Sequence, residues 1–248
     1  MSFQDHFSTQ ARDYSRYRPH YPKALFQFLA DLSPRPHLAW DCATGNGQAA
    51  LGLADYFESV EATDASQKQI AQAQAHPRVH YRVATAEASG LSEASVDLVT
   101  VAQAFHWFDF EKFYSEVKRV LVKDGVLALW GYHLLSCGPQ IDAAILDYYS
   151  TTVGPYWPPD RRWVEEKYQG IPFPFEKIST PEFEMETRWN LEGLLGYLGT
   201  WSATQKYREA QGHDPIPTLR ERLMPQWGNP ELKRPIRWPL FLHVGRKK

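Results

Sequence analysis

The sequence predicts an α/β fold: a largely parallel sheet with helices on both faces, followed by an aromatic-rich cap. Three observations carry this. Short apolar runs alternate with helix-forming stretches from residue 38 to 131, the rhythm of strand–crossover–strand units. The run Val96-Asp97-Leu98-Val99-Thr100-Val101-Ala102 is almost continuously apolar, as in a strand covered on both faces. Of nine tryptophans, six (Trp157, Trp163, Trp189, Trp201, Trp227 and Trp238) fall in the second half among many prolines, where the alternation stops.

The bulk numbers agree with a single globular domain. The chain has 248 residues, 43% of them hydrophobic and 23% charged. A net charge of -2 implies no polyanionic partner or membrane surface globally and is unfavourable for nucleic-acid binding. No apolar run reaches the length of a membrane span. Two cysteines, Cys42 and Cys137, are too few for a disulfide framework. The opening Met1-Ser2-Phe3-Gln4-Asp5-His6 lacks the basic-then-apolar signal pattern. A cytoplasmic monomer or homodimer is expected. No C-x-x-C spacing occurs, and no metal is expected.

In chain order, residues 1–37 form an N-terminal arm. Its prolines Pro19 and Pro22 enforce an extended turn, and Tyr14, Tyr17 and Arg18 make it either a surface arm or a lid. Lys23–Leu32 places Leu25, Phe26, Phe28, Leu29 and Leu32 as in an amphipathic helix. Residues 38–132 are the expected ligand-binding core. Its first strand opens at Leu38 and a helix starts after Gly47. The second strand runs from Ser59 to Thr63 and ends at Asp64, and a helix is expected over Ser66–Ala75. A strand over Val79–Ala84 and the fourth strand at Val96–Ala102 follow. Asp109 caps a helix over Phe110–Val122, Lys123-Asp124-Gly125 reads as a turn, and Val126–Trp130 as the fifth strand. Residues 133–235 form the cap and acceptor pocket. Here helices are expected at Pro139–Ser150, Leu191–Arg208 and Leu219–Met224, with an irregular flap over 153–178 and a strand at 182–189. Residues 236–248 supply the final strand, Ile236–Val244.

The ligand motif is Asp41-Cys42-Ala43-Thr44-Gly45-Asn46-Gly47. Strand, glycine turn and helix let a nucleotide-like ligand approach backbone. Gly45-x-Gly47-x-x-Ala50 fits a dinucleotide fingerprint, and Asp41-x-Ala43-x-Gly45-x-Gly47 fits the loop that binds S-adenosylmethionine. The carboxylate favours the second. An acid beside a pyrophosphate is repulsive, whereas the ammonium and sulfonium of S-adenosylmethionine attract it. Ala43 stands where that loop normally has glycine, which is tolerable at negative φ. Asp64 follows at the distance where an acid accepts hydrogen bonds from ribose hydroxyls; its alternative is an N-cap.

These residues resemble the class I S-adenosylmethionine-dependent methyltransferases, of the methyltransferase type 11 group that includes trans-aconitate methyltransferase-like small-molecule enzymes. Also similar are Glu61-Ala62-Thr63-Asp64, Ala86-Glu87, Ser95-Val96-Asp97-Leu98-Val99, Gln103-Ala104-Phe105-His106-Trp107-Phe108-Asp109, Val120 to Leu127, Tyr17 to Pro22 and Thr200-Trp201-Ser202. The resemblance implies a Rossmann-like seven-stranded sheet with an antiparallel last strand. It implies cofactor contacts from Asp41, Ala43, Thr44, Gly45 and Gly47, from Asp64 and Ala65 at the ribose, and from Ala86 and Glu87 at the adenine. Gln103 and Ala104 would lie near the sulfonium, with Tyr14 and Arg18 as lid residues.

Methyl transfer from a sulfonium needs alignment and exclusion of water more than acid–base work. His106 is the candidate catalytic base for a hydroxyl or amine acceptor, or else it walls the cleft and donates a hydrogen bond. His106, Trp107 and Trp201 are the candidate acceptor contacts. Tyr156, Trp157 and Trp163 could shape the pocket, and Arg161 or Arg162 could meet a carboxylate. O-methylation of a small carboxylate or hydroxyl leads. The alternatives are a nicotinamide-dependent oxidoreductase, a binding protein without turnover, and a nucleic-acid methylase. The last lacks the N/D-P-P-Y/F motif, because Gln103-Ala104-Phe105-His106 stands in its place.

Overall fold

A computed structural model describes residues 19–248. Helix α1 (Lys23–Leu32) precedes β1 (Leu38–Cys42), α2 (Gln48–Leu53), β2 (Ser59–Asp64), α3 (Gln67–Ile70) and β3 (Val79–Val83). Then come β4 (Val96–Ala102), α4 (Phe110–Val120) and β5 (Leu121–Tyr132). The second half holds α5 (Pro139–Asp147), α6 (Arg161–Glu165), β6 (Glu176–Ile178), β7 (Glu184–Trp189), α7 (Leu191–Gly199), α8 (Ser202–Gln211), α9 (Ile216–Trp227) and β8 (Arg234–Arg246).

The eight-stranded sheet has the order β3-β2-β1-β4-β5-β8-β6, and β7 pairs with β8 off that path. Strands β1 to β5 pair in parallel, and the β8 pairings are antiparallel. This is the expected Rossmann-like architecture with one strand more than seven. Apolar side chains cover both faces. Phe113 and Val117 of α4 pack with Trp40, Val99 and Leu127 on one face; Leu25, Leu29 and Leu53 pack with Ala39, Leu98 and Trp130 on the other. The cap has its own core around Tyr148, Leu194, Leu198, Trp227 and Trp238.

Polar groups that the sheet buries are satisfied locally. The Trp40 indole N–H donates to Thr63 Oγ1 at 2.8 Å. Asp97, fully buried in β4, accepts from Arg35 Nε and from the Leu38 N–H, both at 3.1 Å. Such pairing is required, because a buried carboxylate without donors is strongly destabilising.

Several expected elements differ. The helix after Ser66 stops at Ile70, since none of its residues is buried and an isolated turn has little to propagate it. Ser66 does cap it, through Oγ to the Gln69 N–H. No helix links β3 to β4 among the described residues; instead Glu116 of α4 accepts from Ser89 N and Oγ and fastens the connection. Lys123-Asp124-Gly125 is not a turn ahead of β5 but an irregularity inside it. Val96 pairs with Leu121 and Leu98 with Val126, and Asp124 takes φ +62° to absorb the extra residues. The stretch Leu191–Arg208 splits into two helices at Thr200-Trp201. The last helix runs from Ile216 to Trp227. The flap contributes α6 and the strand β6, which joins the sheet.

Candidate functional site

The chain between β1 and α2 forms a loop at the C-terminal end of the sheet. Ala43, Gly45 and Gly47 all take positive φ, at 54°, 58° and 89°. Ala43 therefore lies in the left-handed region and not at the negative φ expected, at an intrinsic cost of about 1–2 kcal/mol. Thr44 N–H donates to Thr63 O at 2.9 Å and Gly47 N–H to Thr44 O at 3.0 Å, which ties the loop to β2 and to itself.

Gly47 is required for a second reason. A Cβ there would lie 2.2 Å from the Tyr81 hydroxyl, which is buried with no hydrogen-bond partner among the described residues. Gly47→Ala is expected to destabilise the protein by about 2 kcal/mol through clash and strain. Tm should fall by roughly 4–8 °C in a thermal melt. An unchanged Tm would mean that Tyr81 swings away freely.

Two carboxylates hold the loop from different sides. Asp41 is fully buried beneath it and accepts from Thr44 Oγ1 at 2.5 Å and Thr100 Oγ1 at 2.8 Å. Burial pushes its carboxyl up to about 6 against the opposing effect of those hydroxyls. Asp64 ends β2 at the cavity wall; its Oδ2 accepts from Gly45 N–H at 2.9 Å and its Oδ1 from Ser66 N–H at 2.8 Å.

That cavity measures about 1240 Å³ and runs from the loop to the cap. Pockets for a single small ligand are typically about 300–1,000 Å³, so two molecules fit side by side. At one end it is lined by Ala43, Thr44 and Gly45, by Asp64 and Ala65 after β2, and by Ala86 and Glu87 after β3. Glu87 also accepts from the Asp109 N–H at 3.2 Å. Asp41 and Gly47 lie behind this wall and do not line it. Tyr14 and Arg18 lie outside the described residues. Just after them, Pro19 O accepts from Gln48 Nε2 at 2.9 Å, and Tyr21 meets Trp130 edge-on at 5.5 Å between centroids.

Gln103 and Ala104 line the middle, beyond β4. Gln103 takes φ +57°, and its carboxamide pairs with both the N–H and O of Tyr132, at 2.7 and 3.0 Å. Its side chain therefore clamps β4 to β5, leaving backbone toward the cavity. Gly131 makes room for this clamp: a Cβ there would come within 2.6 Å of Gln103 Oε1 and 2.5 Å of Phe241.

At the far end stand His106, Trp107 and Trp201, with Tyr132, His133, Trp157, Arg161 and Tyr197. His106 Nδ1 lies 3.1 Å from the Tyr168 hydroxyl. The contact holds the ring by Nδ1, which leaves Nε2 as its other hydrogen-bonding atom. Burial first, then the Arg161 charge, lowers the His106 pKa to about 3. His133 is lowered to about 4 for the same reasons. Three other candidates are elsewhere. Tyr156 accepts from Gln211 Nε2, Trp163 packs on Phe110 against the sheet, and Arg162 stacks outside on Trp163. Among the described residues no cluster of metal-ligating side chains exists.

His133, Tyr168 and Tyr197 were not expected. His133 directly follows β5, and the general rule that ligands sit at C-terminal strand ends could have singled it out. Tyr168 and Tyr197 lie far along the chain with no local signal.

Comparison with known proteins agrees with this geometry. Residues 40–129 match the family model of a methyltransferase domain. A Dictyostelium discoideum protein named as a methyltransferase is 32% identical over 254 residues, covering 99% of this chain and 96% of that one. The solved structure of an Anaeromyxobacter dehalogenans protein, assigned as a type II methyltransferase, superposes with a TM-score of 0.88. It is 44% identical and covers 93% of this chain and 98% of that one. An uncharacterized methyltransferase of Schizosaccharomyces pombe is 33% identical over only 127 residues, 50% of this chain and 51% of its own.

Proposed function

Since the chain belongs to the class I S-adenosylmethionine-dependent methyltransferases, we infer that it methylates an oxygen, carboxylate or hydroxyl, of a small-molecule acceptor. The observation that carries this reading is the continuous cavity from the Ala43–Gly45 loop to the aromatic cap, with room for cofactor and acceptor together. The nicotinamide alternative is displaced by the family.

The residues fit the cofactor. Backbone at Ala43, Thr44 and Gly45 would take the methionine portion, where a Cβ on Gly47 would displace Tyr81 and distort the loop. Asp64 would accept from the ribose hydroxyls. Ala86, whose small side chain is nearly buried, and Glu87 would border the adenine. The cofactor supplies a methyl group already activated on a sulfonium, so no metal is called for.

The chain's own part is positioning. Gln103 fixes the ends of β4 and β5 relative to each other, and so the floor on which the acceptor rests. In this reading the Tyr168 hydroxyl donates to Nδ1 of His106, which makes Nε2–H a donor toward the acceptor. The candidate base is therefore a hydrogen-bond donor in this reading, and its low pKa keeps it neutral throughout the working range. Trp107 and Trp201 exclude water.

Calorimetric titration with S-adenosylhomocysteine, and with NADH in a second cell, tests the cofactor. Labelled S-adenosylmethionine with small carboxylic acids and phenols tests transfer. Cofactor binding without transfer to any acceptor would favour a binding protein. His106→Ala is expected to leave S-adenosylhomocysteine affinity within threefold and to lower turnover about tenfold, the value of one hydrogen bond. The wild-type rate should be flat with pH from 5.5 to 8, as His106 titrates near 3. A rate loss above roughly a thousandfold, with an inflection near 6.5, would restore the base.

A further inference from the structure

Resting on the methyltransferase reading, we propose that Arg161 determines acceptor specificity, and that the acceptor is a planar aromatic carboxylate whose anionic group pairs with the Arg161 guanidinium.

Arg161 begins α6 and lines the cap end of the cavity. Its guanidinium lies 4.7 Å from the Trp157 ring centroid and 5.7 Å from that of Tyr149. Arg161 Nε donates to the Tyr149 hydroxyl at 3.1 Å, and that hydroxyl donates in turn to Glu165. One edge of the group is thus anchored and its plane is held by aromatic faces. Among the described residues the Nε bond to Tyr149 is the one hydrogen bond that its guanidinium makes. An oriented guanidinium with a free donor edge in a cavity is built for bidentate contact with a carboxylate.

The neighbours favour a carboxylate over a hydroxyl acceptor. With the Tyr168 hydroxyl donating to Nδ1, His106 offers the cavity a proton and not a lone pair. His133 has its Nε2 fully buried with no partner. The nearby Arg161 charge opposes either imidazole taking up a proton from an alcohol or phenol. A carboxylate reaches the site with no proton to lose. The walls then select the rest of the molecule. Trp107, Trp157, Tyr197 and Trp201 surround this end, and flat π-faces favour a flat apolar body.

The test is calorimetric titration with benzoate and with its neutral counterpart benzamide, on the protein alone and on protein saturated with S-adenosylhomocysteine. Benzoate should bind wild type at least about tenfold more tightly, the worth of one well-placed charged contact. Arg161→Gln should abolish that preference while leaving S-adenosylhomocysteine affinity within twofold; Arg161→Lys, which keeps charge but not the fork, should fall between. Equal binding of the two ligands overturns the proposal. So does a benzoate preference that survives Arg161→Gln, or no benzoate binding at millimolar concentration. Failure of wild type to bind S-adenosylhomocysteine would instead overturn the methyltransferase reading, because benzoate binding is read independently.

Discussion

Asp64→Ala should weaken S-adenosylhomocysteine binding by about a hundredfold. In the proposed reading Asp64 serves both the loop and the ligand. The substitution removes the acceptors for Gly45 N–H and Ser66 N–H, at 2.9 and 2.8 Å, together with the proposed ribose contact. Hydrogen bonds to a charged group contribute about 1.5–3 kcal/mol each, so losing the two to a ribose diol accounts for the effect before any loosening of the loop. Asp64→Asn should be almost as damaging, because its amide nitrogen must face one of two backbone donors. Calorimetry gives the affinities directly. A loss below tenfold in both variants would remove Asp64 from the ligand.

Asp41→Asn should raise stability at pH 7.5 by about 2–3 kcal/mol, measured by urea denaturation. The folded carboxyl sits near 6 against an ordinary value of 3.8. Between those values the folded protein holds more protons than the unfolded chain, so stability falls as pH rises and stays low above 6. At 1.36 kcal/mol per pKa unit the loss is roughly 3 kcal/mol. His106 acts with the opposite sign. Its folded value near 3 lies below the ordinary 6.5, so it contributes stability that grows as pH climbs from 3 to 6.5. In wild type the two slopes oppose each other; in Asp41→Asn the slope of His106, joined by that of His133 with its folded value near 4, should be unopposed by Asp41 and the profile rise more steeply. A variant profile parallel to that of wild type would mean Asp41 is ionised without penalty.

The cofactor end was legible because its signals are contiguous. Asp41 and Asp64 sit on two neighbouring strands and Gly45 and Gly47 in the loop after the first, and strand period plus glycine placement locates them. The acceptor end was not. Arg161 could be counted as an available cation, but its sequence resembles a solvated flap; only packing against Trp157 and Tyr149 turns it inward. Tyr168 reaches His106 across 62 residues, a contact no local pattern encodes. The backbone at Ala43 and Gln103 also escaped, because non-glycine residues at positive φ are fixed by tertiary bonds and not by propensity. Elements failed where packing gave too little or too much. The helix after Ser66 had no face to bury, and β5 absorbed a Lys-Asp-Gly sequence that on its own reads as a turn.

Strand β8 has a consequence for the protein's synthesis. It follows every other strand in sequence, yet in space residues 240–246 lie beside β5 and residues 234–239 beside β7. While the ribosome is still adding these residues, the β5 edge from Val126 to Tyr132 has no partner and the cap core lacks Trp238. An unpaired apolar edge in a nascent chain is a template for association with other chains. Completion of both halves thus waits on the same thirteen-residue strand, and the interval before its release is when the polypeptide most depends on chaperones.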